Sequence, residues 1–160
     1  MRVLVVLFTV LLSGPALALS CLAPSVERSY AQSDAATEHY LVVEGRLTLN
    51  ARQLPKSGSG TGARNPPPMT IVPSKILGKS MSTAGFVVPF DQDVALEVAC
   101  FGPWCGTVRN GDQVLAFVRR DGGEYALSIT PCGGDAFVNP TPGQLKAVLE
   151  CHRGGDCTAE

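Results

Sequence analysis

Six cysteines are the side chains in this 160-residue sequence best placed to do chemistry: Cys21, Cys100, Cys105, Cys132, Cys151 and Cys157. Thiols serve as metal ligands, as nucleophiles or as cross-links. Their spacings match no paired CxxC zinc site, so ligation is the weak option. Nucleophilic catalysis needs a base, and the only histidines are His39 and His152. His39 precedes a predicted strand and His152 adjoins a predicted disulfide, and composition gives neither a partner. The sequence contains no nucleophile elbow, phosphate-binding Walker loop or HExxH helix. Asp91 and Asp93 are too few for a calcium site, and Asp34, Glu38 and Glu44 show no convergent pattern. Phe101 and Phe117 read as core or rim, and Trp104 as packing against a disulfide. The expectation is therefore a non-enzyme with no cofactor and no metal of its own.

Cross-linking needs an oxidising compartment, and the N-terminus offers a route to one. Met1-Arg2 is a short positive region, and the aliphatic run from Val3 to Leu12 ends at Ser13-Gly14-Pro15. Small residues follow at Ala16, Ala18 and Ser20. This is the layout of a secretory signal peptide over 1–20. Ten to twelve apolar residues span only about half of a ~30 Å hydrocarbon core, so a transmembrane reading is weaker. No later stretch is long and apolar enough to span. Cleavage after Ala18 or after Ser20 both fit, and the second makes Cys21 the first mature residue. A third reading takes Ala18-Leu19-Ser20-Cys21 as a degenerate lipobox, with a lipid anchor at Cys21. Localisation is accordingly secreted, periplasmic or extracellular.

Six cysteines allow 15 pairings. Cys151 and Cys157 bracket a flexible loop, and Cys100 and Cys105 bracket Phe-Gly-Pro-Trp, a turn sequence. If both local pairs form, Cys21 is left with Cys132. The competing pattern joins Cys21 to Cys100 or Cys105 and leaves the other for Cys132.

The elements that must position these residues are mostly strands. Only 17% of residues are charged, against 17 Gly and 12 Pro, which suits a loop-rich β domain better than a helical bundle. The net charge of -1 gives no bulk support for a nucleic-acid or anionic-membrane partner. Ser25 reads as the N-cap of a short helix. Leu41 to Leu49 reads as a strand with a bulge or bend at Gly45. Residues 50–68, with Lys56-Ser-Gly-Ser-Gly-Thr-Gly62 and Pro66-Pro-Pro68, read as a flexible loop insertion. Strand character returns over Met69 to Met81, at Phe86 to Pro89, and at Val94 to Val98, the last two joined by an Asp91-Gln-Asp93 turn. Asn110-Gly111 signals a turn. Gln113 to Arg120 and Glu124 to Thr130 form a hairpin about Asp121-Gly122-Gly123. Thr141-Pro142 opens a short amphipathic helix ending at Cys151. No helices alternate with the strands, which excludes a doubly wound sheet. The expected fold is all-β with small helices attached: a five- to six-stranded antiparallel Greek-key OB-type barrel, one disulfide-linked domain over 21–160.

A mature Cys21 would carry an α-amine of reference pKa ~7.7–8.0, an appreciable fraction of it neutral at physiological pH. That nitrogen and the carbonyl oxygen of Cys21 can form a five-membered chelate around a metal. A disulfide at Cys21 would hold the chelate rigid and lower its ordering cost. Such a terminus could occupy the open position of a catalytic zinc.

These residues resemble the netrin-like, OB-fold domain of the tissue inhibitors of metalloproteinases (TIMPs). The resemblance rests on a signal peptide ending before Cys21, on Tyr40-Leu-Val-Val-Glu-Gly-Arg-Leu47, on Cys105-Gly106, and on the hairpin from Gln113 to Cys132. It covers roughly residues 21–132, with Cys151 matching the final cysteine of the domain. It implies that Cys21 chelates the zinc of a target metalloprotease, that Leu22 enters the adjacent pocket with Ala23 in contact, and that 50–68 is a projecting loop. The sequence departs from the family in lacking its Cys-x-Cys start, having Cys21-Leu22-Ala23, and in lacking a second subdomain. The expected function is a secreted, monomeric TIMP-like inhibitor of a zinc metalloprotease. The alternative is a cell-envelope binding or interaction module, lipid-anchored through Cys21. An oligosaccharide- or oligonucleotide-binding role fits poorly, because no basic, aromatic stripe is present.

Overall fold

The computed structural model describes residues 20–57 and 66–158. The expected signal peptide up to residue 19 and the middle of the expected loop, 58–65, lie outside the described residues.

The chain is mostly β-sheet with two short helices. In order they are α1 (Val26–Asp34), β1 (His39–Leu49), β2 (Met69–Ser82), β3 (Gly85–Phe101), β4 (Trp104–Cys105), β5 (Gln113–Asp121), β6 (Glu124–Ile129), β7 (Ala136–Val138) and α2 (Pro142–His152). Five strands close on themselves as a ring in the order β1-β2-β3-β6-β5, with β5 returning to β1. The small strands β4 and β7 attach outside it, to β3 and β5.

Alternation explains which side chains fill the ring. On β2, Val72, Ser74, Ile76 and Ser80 point in while their neighbours face solvent. Val43, Leu47, Leu96, Val98, Val114, Val118 and Leu127 complete that interior. β5 differs, because Val114 to Val118 are all buried. Its second face, Leu115 and Phe117, packs on Val26, Phe137 and Val148 beneath the helices. A strand covered on both sides reads as a continuous apolar run, as this one does. α1 is capped by Ser25, whose hydroxyl accepts from the Arg28 N–H. α2 has Pro142 in its first turn and a reciprocal capping box between Thr141 and Gln144, which satisfies donors that a helix start leaves free.

The ring has five strands, as expected, and β4 and β7 bring the total to seven. Three expectations need correction. The ring is not wholly antiparallel: β3 and β6 run parallel over Ala95–Val98 and Ala126–Ile129. The two strands expected at 86–89 and 94–98 are one, because Asp91-Gln-Asp93 pairs in register with Lys75, Ile76 and Leu77. The β2 ladder overrides the local turn tendency, and Lys75 neutralises Asp91 at 2.6 Å. Gly45 makes no bulge; it lies opposite Gly78 in regular register. A Cβ on Gly45 would sit 2.8 Å from the Leu77 carbonyl oxygen, so a close strand approach is what excludes a side chain there. The expected loop also holds a short 3₁₀ turn over Ala51–Gln53.

Three disulfides tie the chain: Cys21–Cys132, Cys100–Cys105 and Cys151–Cys157. The competing arrangement, Cys21 with Cys100 or Cys105, is absent. The first closes a span of 111 residues, and the others close spans of 5 and 6.

Candidate functional site

The N-terminal segment is fastened at almost every residue except Leu22. Cys21 is bonded to Cys132, which sits in a turn built by Thr130 and two glycines. The Cys132 N–H donates to the Thr130 hydroxyl at 3.1 Å, and that hydroxyl donates to the Gly133 carbonyl at 3.0 Å. Gly133 and Gly134 both have positive φ, 71° and 119°, which glycine adopts freely. Pro24 lies against Gly133, where a Cβ would come within 3.2 Å of its ring. The Ala23 carbonyl accepts from Arg28 Nη1 at 2.9 Å, and the Ser29 hydroxyl donates to the Gly134 carbonyl. Leu22 is 73% exposed. A large apolar side chain thus projects from a backbone held on both sides. Ala23 is also exposed.

A second feature is a cleft of about 1150 Å³ on the outer face of the sheet. Its floor is a cross-strand row: Pro73 pairs with Ala95, Ala95 with Ala126, and Ala126 with Arg119. Small residues at the centre leave the trough, and taller side chains flank it. On one side Arg119 grips Glu97 with Nη2 at 2.7 Å and Nη1 at 3.5 Å. On the other stand Lys75 and Asp93. Tyr40 is opposite Arg119 on β1, and burial raises its hydroxyl above the ordinary pKa. Close by, burial pushes the Asp135 carboxyl upward, with Arg119 opposing the shift and Glu97 adding to it.

The remaining candidates are scattered. His39 is exposed at the start of β1, and His152 Nδ1 shares a hydrogen bond of 3.2 Å with the Tyr30 hydroxyl. No group of three or more potential metal ligands occurs among the described residues. Phe117 is buried, whereas Phe101 and Trp104 are exposed as a cross-strand pair. The cleft has no local sequence signature: its floor row crosses four strands, β2, β3, β6 and β5, which the parallel pairing of β3 with β6 brings together.

Comparison with protein-family models, with curated proteins and with solved structures found no match.

Proposed function

We propose that the exported protein begins at Cys21 and inhibits a zinc metalloprotease by placing the Cys21 amine and carbonyl oxygen on the catalytic zinc, with Leu22 in the neighbouring pocket. The observation that carries this reading is the pairing of a fastened backbone with a free side chain: Cys21 bonded to Cys132, Ala23 held by Arg28, and Leu22 exposed between them. A terminus ordered in advance loses little freedom on binding. Displacing the zinc-bound water removes the nucleophile such enzymes use. The ring order β1-β2-β3-β6-β5 supports assigning the domain to the OB fold, with the two-residue β4 as an addition. The likeness to TIMPs supports the target class.

Chemistry separates this reading from a lipid anchor. A thioether lipid would occupy the Cys21 sulfur, and that sulfur is bonded to Cys132. A test places one Ala before Cys21. The extension leaves the fold intact and converts the chelating amine into an amide. Loss of inhibition against a panel of zinc endopeptidases is the expected result, and undiminished inhibition rules the mechanism out.

The alternative of a binding module draws on the cleft. Its size suits a peptide of several residues, and its floor of Pro73, Ala95 and Ala126 offers a shallow apolar seat. Ala126→Trp would fill the trough. Under the inhibitor reading it leaves inhibition unchanged, and under the binding-module reading it abolishes ligand capture.

A further inference from the structure

The chain is nearly balanced in charge, with 13 basic against 14 acidic side chains, but the balance fails at one end of the ring. β3 and β6 run parallel up to Val98 opposite Ile129, where β6 ends, and β2 starts there with Met69 opposite Ala99. Beyond that point the chain turns back sharply. β4 pairs with β3 so that Phe101 faces Trp104, and Cys100 is bonded to Cys105. The turn needs Gly102 at φ 60°, and a Cβ placed there would meet nothing within 4 Å. The hairpin therefore projects, and it is held firmly at its base. Cys100 N–H donates to the Pro68 carbonyl at 2.9 Å, Gly106 N–H to the Ala99 carbonyl at 2.9 Å, and Cys105 N–H to the Ser57 hydroxyl at 3.2 Å. Cys132, three residues past β6, brings Cys21 and Leu22 to the same end.

Phe101 is 45% exposed and Trp104 39%, with Met69 and Leu22 more so. These four are among nine exposed large hydrophobic side chains in the described residues. A grouping of that kind marks an interaction surface, whereas scattered ones need no explanation. The segments that form this end are 20–26, 51–57, 66–71, 99–109 and 129–134. They contain no Asp or Glu, and their charged residues are Arg52, Lys56 and Arg109, all exposed. Of the carboxylates bordering them, Glu97 is neutralised by Arg119, and the others are hydrogen-bonded or partly buried. Asp112 accepts from the Arg109 N–H at 2.7 Å, Glu27 from the Ser25 hydroxyl, and Glu97 from Arg119. Asp135 is partly buried.

We propose that this end of the molecule docks peripherally on an anionic phospholipid bilayer, with Phe101 and Trp104 entering at headgroup depth and Arg52, Lys56 and Arg109 meeting the phosphates. Aromatic rings favour that interfacial zone. A basic side chain near an anionic surface adds to the attraction, and a cross-linked hairpin gives up little freedom on insertion. The projecting tip, whose exposed charged residues Arg52, Lys56 and Arg109 are all basic, fits a flat anionic surface better than the pocket of a protein. This inference does not depend on protease inhibition.

Trp104 is the only tryptophan in the chain, so its fluorescence reports on this tip alone. The purified exported protein is mixed at low salt with vesicles of phosphatidylcholine containing phosphatidylglycerol, and separately with pure phosphatidylcholine. The anionic vesicles should shift the emission to the blue, and lipids brominated along the acyl chain should quench it. Lys56→Glu should weaken the response about tenfold, and Phe101→Ser should weaken it without altering thermal melting. Unchanged emission at saturating anionic lipid overturns the proposal and leaves the tip as a protein contact. An equal response to uncharged vesicles overturns it as well. Neither outcome depends on a variant that must fold.

Discussion

Two side chains carry predictions of opposite kinds. Leu22 projects from a fastened backbone and contributes little to the core. Leu22→Glu should change stability by no more than about 0.5 kcal/mol and still abolish inhibition, because a carboxylate cannot enter an apolar pocket without losing its hydration. Parallel melting curves and inhibition assays check this, and a large fall in stability would place Leu22 in a structural role. Asp135 is the reverse case. Burial raises its pKa in the folded protein, so the folded chain keeps a proton that the unfolded chain has already released. Stability therefore falls as pH rises from the ordinary carboxylate range through the raised value. Asp135→Asn removes that slope. It should stabilise the protein above that window, with the difference vanishing in acid where both states are protonated. Melting temperatures across pH for both proteins check it, and parallel curves would contradict it.

The strands and helices show where local sequence suffices and where it fails. The β5–β6 hairpin is legible because Gly122 and Gly123 supply the positive φ its turn requires, 55° and 101°, between two apolar runs. α2 is legible from Thr141-Pro142, and Thr141→Ala should cost about 1 kcal/mol by removing the cap, as thermal melting would show. The continuity of β3 is not legible. Asp91 and Asp93 look like turn residues until β2 lies alongside to hold them extended. The ring's parallel closure rests on four paired positions far apart in sequence, so neither its direction nor the cleft above it has a local signature. The glycine at 78 illustrates the same limit. Local sequence gives it no role within the strand, but a Cβ there would collide with the Glu44 carbonyl oxygen. Gly78→Ala should destabilise by about 2 kcal/mol or more by forcing β1 and β2 apart, measurable by denaturant unfolding. A neutral effect would contradict the close approach.

At the scale of the molecule, the disulfides are unequal. Chain-entropy reasoning gives about 5 kcal/mol for a closure as long as Cys21–Cys132 and about 2 kcal/mol for one as short as Cys100–Cys105. Replacing both members of each pair by Ser should reproduce that order in unfolding experiments. Loss of the first should also release the N-terminal segment and abolish inhibition, while the ring core from Val43 to Leu127 stays assembled. The pairing was accessible from spacing only as one of two patterns, because sequence separation does not show that the turn after β6 reaches the start of α1. The proposed activity depends on a single covalent fact about the exported protein, and intact mass spectrometry with N-terminal sequencing measures it most directly. The expected result is Cys21 as the first residue, with an unmodified amine and its sulfur in a disulfide. A protein that begins upstream of Cys21, or that carries an acyl group on it, would overturn the proposed mechanism.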